Sequence, residues 1–382
     1  MKIKMFSSWQ VRCGIANPHA VEMHRALNAL PDTSVEMVPY DRQPHPRADY
    51  VEWGRKLDEG DIAHIQFDYG FFDYLLPWRE KYTTMRREIH TPLVITRHVS
   101  FDGPLLLADS SLKGWIRRAK WWVYQHPLNP YATFLNRTIF DNADHVIVLT
   151  SRLKNQLLRR GLQDAKISVI PAGVRAPTVS GDGRVIRARY GWEGKRVVGQ
   201  FGFIAPPKGH ALTLEALTRL PEDTVLLIGG GVRLTEHQRF IDDLKVLITR
   251  LGLEDRVRIT GFLDEKDVAS HVAACDALAY PYTHADFSQS VADALACAHC
   301  PVVASDIASH REIAGYCPAL RLFPSGSAVS LAEALSSALG DDGFRANERA
   351  AMLDYARNYS WESIARRTRE VYARLISPRP EA

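Results

Sequence analysis

The sequence predicts an α/β protein made of two doubly wound domains, and three observations lead there. The chain has 382 residues, beyond the size at which one hydrophobic core usually stops growing. Short apolar runs recur between amphipathic stretches, the pattern of parallel strands covered by helices on both faces. The stretch from Pro177 to Arg184 has no apolar periodicity and contains Gly181 and Gly183, so it reads as a linker dividing the chain nearly in half.

Each half carries its own alternation. In the first, strands are expected at Ile3 to Phe6, Ile62 to Phe67, Pro92 to Thr96 and Val146 to Leu149. In the second they are expected at Val197 to Phe201, Val225 to Ile228, Ala277 to Tyr280 and Pro301 to Ala304. The domains are therefore placed at residues 1–176 and 185–358, facing one another across a cleft, with ligands beyond the carboxyl ends of the strands. No short-period repeat is present.

Composition excludes several classes. At 46% hydrophobic and 24% charged residues, the chain matches a globular protein and not a disordered or fibrous one. No apolar run reaches the roughly 18 residues of a spanning helix, and the Met-Lys-Ile-Lys-Met start lacks the apolar middle of a signal peptide, so a cytoplasmic location is expected. A net charge of +4 falls short of the concentrated footprint of a nucleic-acid binder. The five cysteines include a single Cys-x-x-Cys pair, Cys297 and Cys300. With no second pair to complete a zinc ribbon, they are expected to be buried, reduced thiols.

Two segments of the second half carry chemistry. After the strand ending at Phe201, the turn Gly202-Phe203-Ile204-Ala205-Pro206-Pro207-Lys208-Gly209 leads into a helical stretch from His210 to Leu220. Free backbone amides, the positive end of the helix dipole and the Lys208 ammonium together favour a diphosphate; alone, Lys208 also fits a solvated loop. After the strand ending at Tyr280, the segment Pro281 to Ser290 leads into Val291 to Ala296, which has helical character. Ser288 and Ser290 bring hydroxyls and the helix start brings amides, so oxyanions can be held without a metal; a serine there also fits a simple N-cap. Asp293, one turn further on, can accept hydrogen bonds from a ribose or merely compensate the dipole.

These segments resemble the carboxyl-terminal domain of the group 1, or family four, glycosyltransferases of the GT-B type. The matching residues are Lys208-Gly209, Asp293-Ala294-Leu295-Ala296 and Pro301-Val302-Val303-Ala304-Ser305. The likeness extends through Arg12-Cys13-Gly14-Ile15-Ala16, Ile65-Gln66-Phe67-Asp68-Tyr69-Gly70, Val94-Ile95-Thr96-Arg97-His98 and Val169-Ile170-Pro171-Ala172-Gly173-Val174. It ends at Tyr359-Ser360-Trp361-Glu362-Ser363-Ile364-Ala365, which introduces a final helix at about 360–378 of the kind that packs back on the first domain.

The resemblance implies transfer of a hexosyl group from a nucleotide diphosphate sugar to an acceptor hydroxyl, with retention of anomeric configuration and without a metal or other cofactor. Lys208 and His98 are the implied catalytic residues, His98 positioning the donor sugar and stabilising charge. Gly14, Gly202, Lys208, Asp286, Ser288, Gln289, Ser290 and Asp293 are the implied donor-binding residues, Gly14 allowing close backbone approach to the phosphates. The chain departs from the family pattern at Ala285, where an acid is common and Asp286 stands beside it. Asp293 replaces a glutamate, and Phe203 a common arginine; Arg12, Arg97 and Arg311 are candidate substitutes for that phosphate contact. No Asp-x-Asp offers a metal-bridging pair.

The acceptor leaves one trace. From Ser110 to Phe140 there is no Asp or Glu, and Lys113, Arg117 and Lys120 lie beside Trp115, Trp121 and Trp122. On a helix, residues 112–123 form a basic, tryptophan-bearing amphipathic face suited to peripheral contact with a membrane and a lipid-linked acceptor in cell-surface polysaccharide or glycolipid assembly. The same face also suits packing into the first domain. A nucleotide-sugar epimerase, or a degenerate module that binds a nucleotide sugar without turnover, is the alternative function.

Overall fold

The computed structural model describes residues 1–9, 18–41, 43–68, 71–72, 79–98, 115, 137–175, 181–232, 238–340 and 346–377. The chain divides into two compact units, Met1–Gly173 with Tyr359–Ala382, and Val174–Asn358. Two six-stranded sheets with interleaved helices give the predicted α/β class.

The first unit contains β1 (Lys2–Ser8), α1 (Pro18–Asn28), β2 (Ser34–Tyr40), α2 (Arg47–Asp58), β3 (Ile62–Phe67), α3 (Tyr82–Arg86), β4 (Leu93–Arg97), β5 (His145–Val148), α4 (Ser151–Leu158) and β6 (Ile167–Val169). Its strands pair in the order β2-β1-β3-β4-β5-β6, all parallel. Every residue of β3, β4 and β5 is buried, as covering both faces of a parallel sheet requires.

The second unit contains α5 (Gly183–Tyr190), β7 (Arg196–Phe201), α6 (His210–Leu217), β8 (Thr224–Gly229), α7 (Arg239–Arg250), β9 (Val257–Ile259), α8 (Glu265–Ala273) and β10 (Ala277–Tyr280). It continues through α9 (Gln289–Cys297), β11 (Val302–Ser305), α10 (Ala308–Tyr316), β12 (Leu320–Phe323), α11 (Ala328–Gly340) and α12 (Ala346–Asn358). The strand order is β12-β11-β10-β7-β8-β9, again parallel throughout. From β7 the chain first runs outward through β8 and β9, then returns to lay β10 on the other side of β7. The winding thus reverses between β7 and β10, the place in such sheets where ligands bind.

The last helix, α13 (Trp361–Ile376), returns to the first unit. The Ser360 hydroxyl caps it by accepting from the Ser363 N–H at 3.2 Å, satisfying one orphan donor. Ile364, Ala365, Thr368, Val371 and Tyr372 form one buried face at helical spacing. Ile364, Val371 and Tyr372 join Ile3, Met5, Leu27, Ile62, Val94 and Ile147 in one core. Each large side chain removed from water there contributes about 1.5–3 kcal/mol, so α13 is held by its apolar face.

The stretch expected to be a linker is structured at its end. The Asp182 side chain accepts from the Arg184 N–H and caps α5, which begins at Gly183. A side chain at Gly183 would overlap the carbonyl of Ala273, so this glycine lets α5 lie close against α8. Among the described cysteines, Cys275, Cys297, Cys300 and Cys317 are free thiols. Burial pushes Cys297 and Cys300 up to about 12, which keeps them protonated and inert.

One ionic feature makes the first unit pH-sensitive. His45, ahead of α2, lies 2.7 Å from Asp41 and 2.8 Å from Asp49. Burial opposes its charge, but the hydrogen bonds to both carboxylates outweigh that and raise its pKa. A raised folded pKa stabilises fully below the unfolded value near 6.5 and ceases to do so as pH rises through the folded value. The gap in urea midpoint between the natural protein and His45→Gln is therefore expected to be wider at about pH 5.5 than at about pH 8.5. Equal gaps at both would contradict this account.

Candidate active site

The reversal between β7 and β10 brings together the two segments singled out in the sequence. After β7 the chain turns at Gly202, whose φ is +129°, and runs to a single 3-10 turn, Pro206–Lys208, closed by Gly209 at φ +70°. Gln200, buried on β7, fixes this turn: its amide donates to the Lys208 carbonyl at 2.9 Å and its carbonyl accepts from the Thr213 hydroxyl at 2.7 Å. The segment after β10 is stitched to the same turn, since the Thr283 N–H donates to the Pro207 carbonyl at 2.9 Å. A side chain at Gly209 would overlap the carbonyl oxygen of Pro281. Glycine there satisfies both a positive φ and a backbone-to-backbone approach.

Around this junction the functional groups gather. The Lys208 Nζ sits 3.8 Å from the centre of the Tyr282 ring, a cation–π contact worth about 0.5–2 kcal/mol. The other side of the group is His310 of α10, whose ring centre is 5.3 Å from that of Tyr282. Burial, with a smaller contribution from the Lys208 charge, pushes His310 down to about 4, although its bond to the Ser305 carbonyl works the other way. It is therefore neutral near pH 7. Ser290, in the first turn of α9, reaches the same place: a Cβ on Gly202 would lie 2.8 Å from its Oγ and 3.8 Å from the Tyr282 hydroxyl. The Tyr282 hydroxyl and the Ser288 Oγ are buried without a hydrogen-bond partner among the described residues. Ser288 occupies the N-cap position of α9 but makes no side-chain cap bond. Its hydroxyl and the first amides of the helix are thus not spent on one another.

The remaining predicted residues are placed as follows. Asp286 has a side chain 10% exposed and lies 3.7 Å from His284. The Asp293 carboxylate accepts from the Gln289 amide at 2.9 Å and from the Arg175 N–H at 3.2 Å, so Gln289 and Asp293 are engaged with each other. Phe203 turns outward, 41% exposed, with its ring 5.9 Å from that of Phe262. Of the candidate substitute arginines, Arg97 is fully buried in the first unit and donates to Gln156 at 2.9 Å. Arg311 pairs with Asp306. Gly14, Arg12 and, apart from Trp115, the stretch 112–123 lie outside the described residues.

In the first unit, His98 follows the end of β4. Its Nε2 lies 2.6 Å from the Gln66 Oε1, and burial lowers its pKa to about 4, so the imidazole is a neutral dipole near pH 7. Sequence reasoning missed Gln66, His64, Gln200, Tyr282 and His310. The first three were legible as a signal: polar side chains within strands buried on both faces are expensive unless bonded, and each of the three is fully or almost fully buried. Tyr282 and His310 gave no such sign, because only the folded sheet brings them to Lys208. Among the described residues no group of three His, Cys, Asp or Glu side chains is arranged to hold a metal ion, and none of their helices is long and apolar enough to cross a membrane.

The junction yields a direct prediction. Gly209→Ala combines a φ that alanine rarely adopts with a backbone overlap and is expected to cost about 2–3 kcal/mol, read as a lowered urea midpoint. Unchanged stability would show that the two loops do not meet there.

Comparison with known proteins agrees with this architecture. Residues 183–359 match the family model described as glycosyl transferases group 1, and residues 18–176 match that of glycosyltransferase family 4. The D-inositol 3-phosphate glycosyltransferase of Xylanimonas cellulosilytica is 27% identical over 247 residues, covering 62% of this chain and 58% of that protein. Its namesake from Mycobacteroides abscessus is 28% identical over 292 residues, covering 70% and 64%. The chain thus spans about six-tenths of the length of these relatives. The crystal structure of Anabaena Alr3699/HepE in complex with UDP and glucose superposes with a TM-score of 0.68 at 19% identity, covering 98% of this chain and 99% of that one. With both halves matched in order and the GT-B fold shared along the whole length, the chain belongs to the group 1 glycosyltransferases.

Proposed function

We propose that the protein transfers a hexosyl group from a nucleotide diphosphate sugar to an acceptor hydroxyl, with retention of anomeric configuration and without a bound metal. The observation that carries this reading is the meeting of the Lys208 ammonium, the Ser290 hydroxyl and the amino end of α9 around Gly202. As the glycosidic bond breaks, positive charge grows at the anomeric carbon and negative charge on the departing phosphate. Preorganised donors aimed at that phosphate stabilise this charge separation more than they stabilise the ground state.

In this reading Lys208, Ser288 and Ser290 hold the diphosphate, and Gly14 and Gly202 admit it close to the backbone. Asp286, Gln289 and Asp293 complete the donor contacts. His98 positions the sugar and, being neutral, acts through its dipole. The UDP and glucose of the Anabaena structure and the sugar-transferring names of the relatives support a nucleotide-sugar donor. We further propose a cytoplasmic protein serving cell-surface polysaccharide or glycolipid assembly, with the basic, tryptophan-bearing residues 112–123 meeting the membrane that carries the acceptor.

Four measurements test this. A thermal-shift series with nucleoside diphosphates and their sugars is expected to raise Tm for at least one of them, by linkage to the folded state, and Lys208→Ala is expected to remove that rise. The same variant is expected to lower kcat/KM about a hundredfold; full turnover would remove Lys208 from the reaction. Chelator is expected to leave turnover unchanged, and a loss reversed by added divalent ion would end the metal-free reading. Co-sedimentation with anionic liposomes is expected for the natural chain, and its absence would dismiss membrane contact.

A further inference from the structure

A line of polar side chains runs through the apolar interior of the first unit and ends on His98. The register places Gln66 of β3 opposite Thr96 of β4. Because successive side chains alternate across a strand, His64 and Gln66 share a face with Thr96 and with His98 two residues beyond it. His19 of α1 and Tyr372 and Trp361 of α13 close over this face. The His19 ring is 4.6 Å from that of His98 and 5.0 Å from that of Trp361.

The hydrogen bonds along the line have one consistent direction. The Gln66 Oε1 lies 2.6 Å from the His98 Nε2, so the carbonyl end of the amide faces that imidazole. A carbonyl only accepts, so His98 carries its hydrogen on Nε2 and its lone pair on Nδ1. The opposite end, the Gln66 Nε2, lies 3.4 Å from the His64 Nε2, which also meets the Thr96 hydroxyl at 2.8 Å. The amide nitrogen only donates, so His64 accepts at Nε2 and carries its hydrogen on Nδ1, 2.6 Å from the Tyr372 hydroxyl. Gln66, His64 and Tyr372 are fully buried, so no solvent competes for these bonds.

We propose that Gln66 is a positioning residue for His98: its side-chain carbonyl holds the imidazole as the Nε2–H tautomer and presents Nδ1 as a hydrogen-bond acceptor, while His64, anchored on Tyr372 of the last helix, fixes the amide. This rests on the reading above in which His98 meets the donor sugar, where an acceptor at Nδ1 takes a hydrogen bond from a sugar hydroxyl. It also gives α13 a task beyond burial. Among the described residues, the titratable groups facing His98 are His19 from α1 and His64 from β3, with Tyr372 of α13 behind them.

The test reads the ring itself before it reads turnover. In the intact protein carrying 15N-labelled histidine, long-range 1H–15N spectra distinguish the two tautomers, and the His98 signals are those absent from His98→Gln. His98 is expected in the Nε2–H form, in a mixture of forms in Gln66→Leu, and restored to Nε2–H in Gln66→Glu, which keeps an acceptor oxygen in place. A wild-type His98 in the Nδ1–H form, or one unaltered by Gln66→Leu, overturns the proposal without any substrate being needed. In turnover, Gln66→Leu is expected to lower kcat about tenfold, the value of one misplaced hydrogen bond, with KM changed far less, and Gln66→Glu to recover most of it. If His98→Gln abolishes turnover while Gln66→Leu does not slow it, the positioning role is wrong. If His98→Gln leaves turnover intact, the fault lies with the functional reading instead.

Discussion

The second unit depends on one close approach, the contact of Gly209 with the carbonyl of Pro281. It joins the loops that leave β7 and β10, the two strands between which the winding of the sheet reverses. Loops on either side of such a reversal normally diverge. Here they are drawn together at their bases, by the Thr283 N–H on Pro207 and by Gln200 on the Lys208 carbonyl. Lys208 of one loop and Ser290, just beyond the other, then lie around Tyr282 and Gly202. Any side chain at position 209 would push the loops apart and with them the cations and hydroxyls they carry.

The two units use their buried polar groups differently. In the second, Gln200 shapes backbone, and the Tyr282 ring under Lys208 carries a hydroxyl that the described protein atoms leave unsatisfied, as they do that of Ser288 at the start of α9. Buried polar groups are seldom left so, and a ligand rich in acceptor oxygens would satisfy donors of this kind. In the first unit a line of hydrogen bonds runs from Tyr372 to His98. It spends its hydrogen bonds on orienting one imidazole, which burial keeps neutral.

What the sequence revealed follows from where each strand sits. Every strand expected from an apolar run is interior to its sheet. The four that escaped notice, β2, β6, β9 and β12, are the four sheet edges. An edge strand is covered less completely, and only Val35, Val38 and Tyr40 of β2 are buried, so no continuous apolar run betrays it. Gly181 and Gly183 looked like a linker because glycine signals both turns and tight helix contacts, and only the neighbouring α8 distinguishes the two. The candidates Lys208, Ser288, Ser290 and His98 came from motifs at strand ends. Tyr282 and His310 did not, since their meeting with Lys208 depends on the strand order, which no local pattern encodes.

The central claim is that β7 and β10 deliver Lys208 and Ser290 to one diphosphate. A crystal structure of the protein with a nucleoside diphosphate tests it most directly. Phosphate oxygens are expected about 3 Å from both the Lys208 Nζ and the Ser290 Oγ, with the ammonium lifted from the Tyr282 ring. A nucleotide bound elsewhere, with Lys208 still lying over Tyr282, would contradict the account.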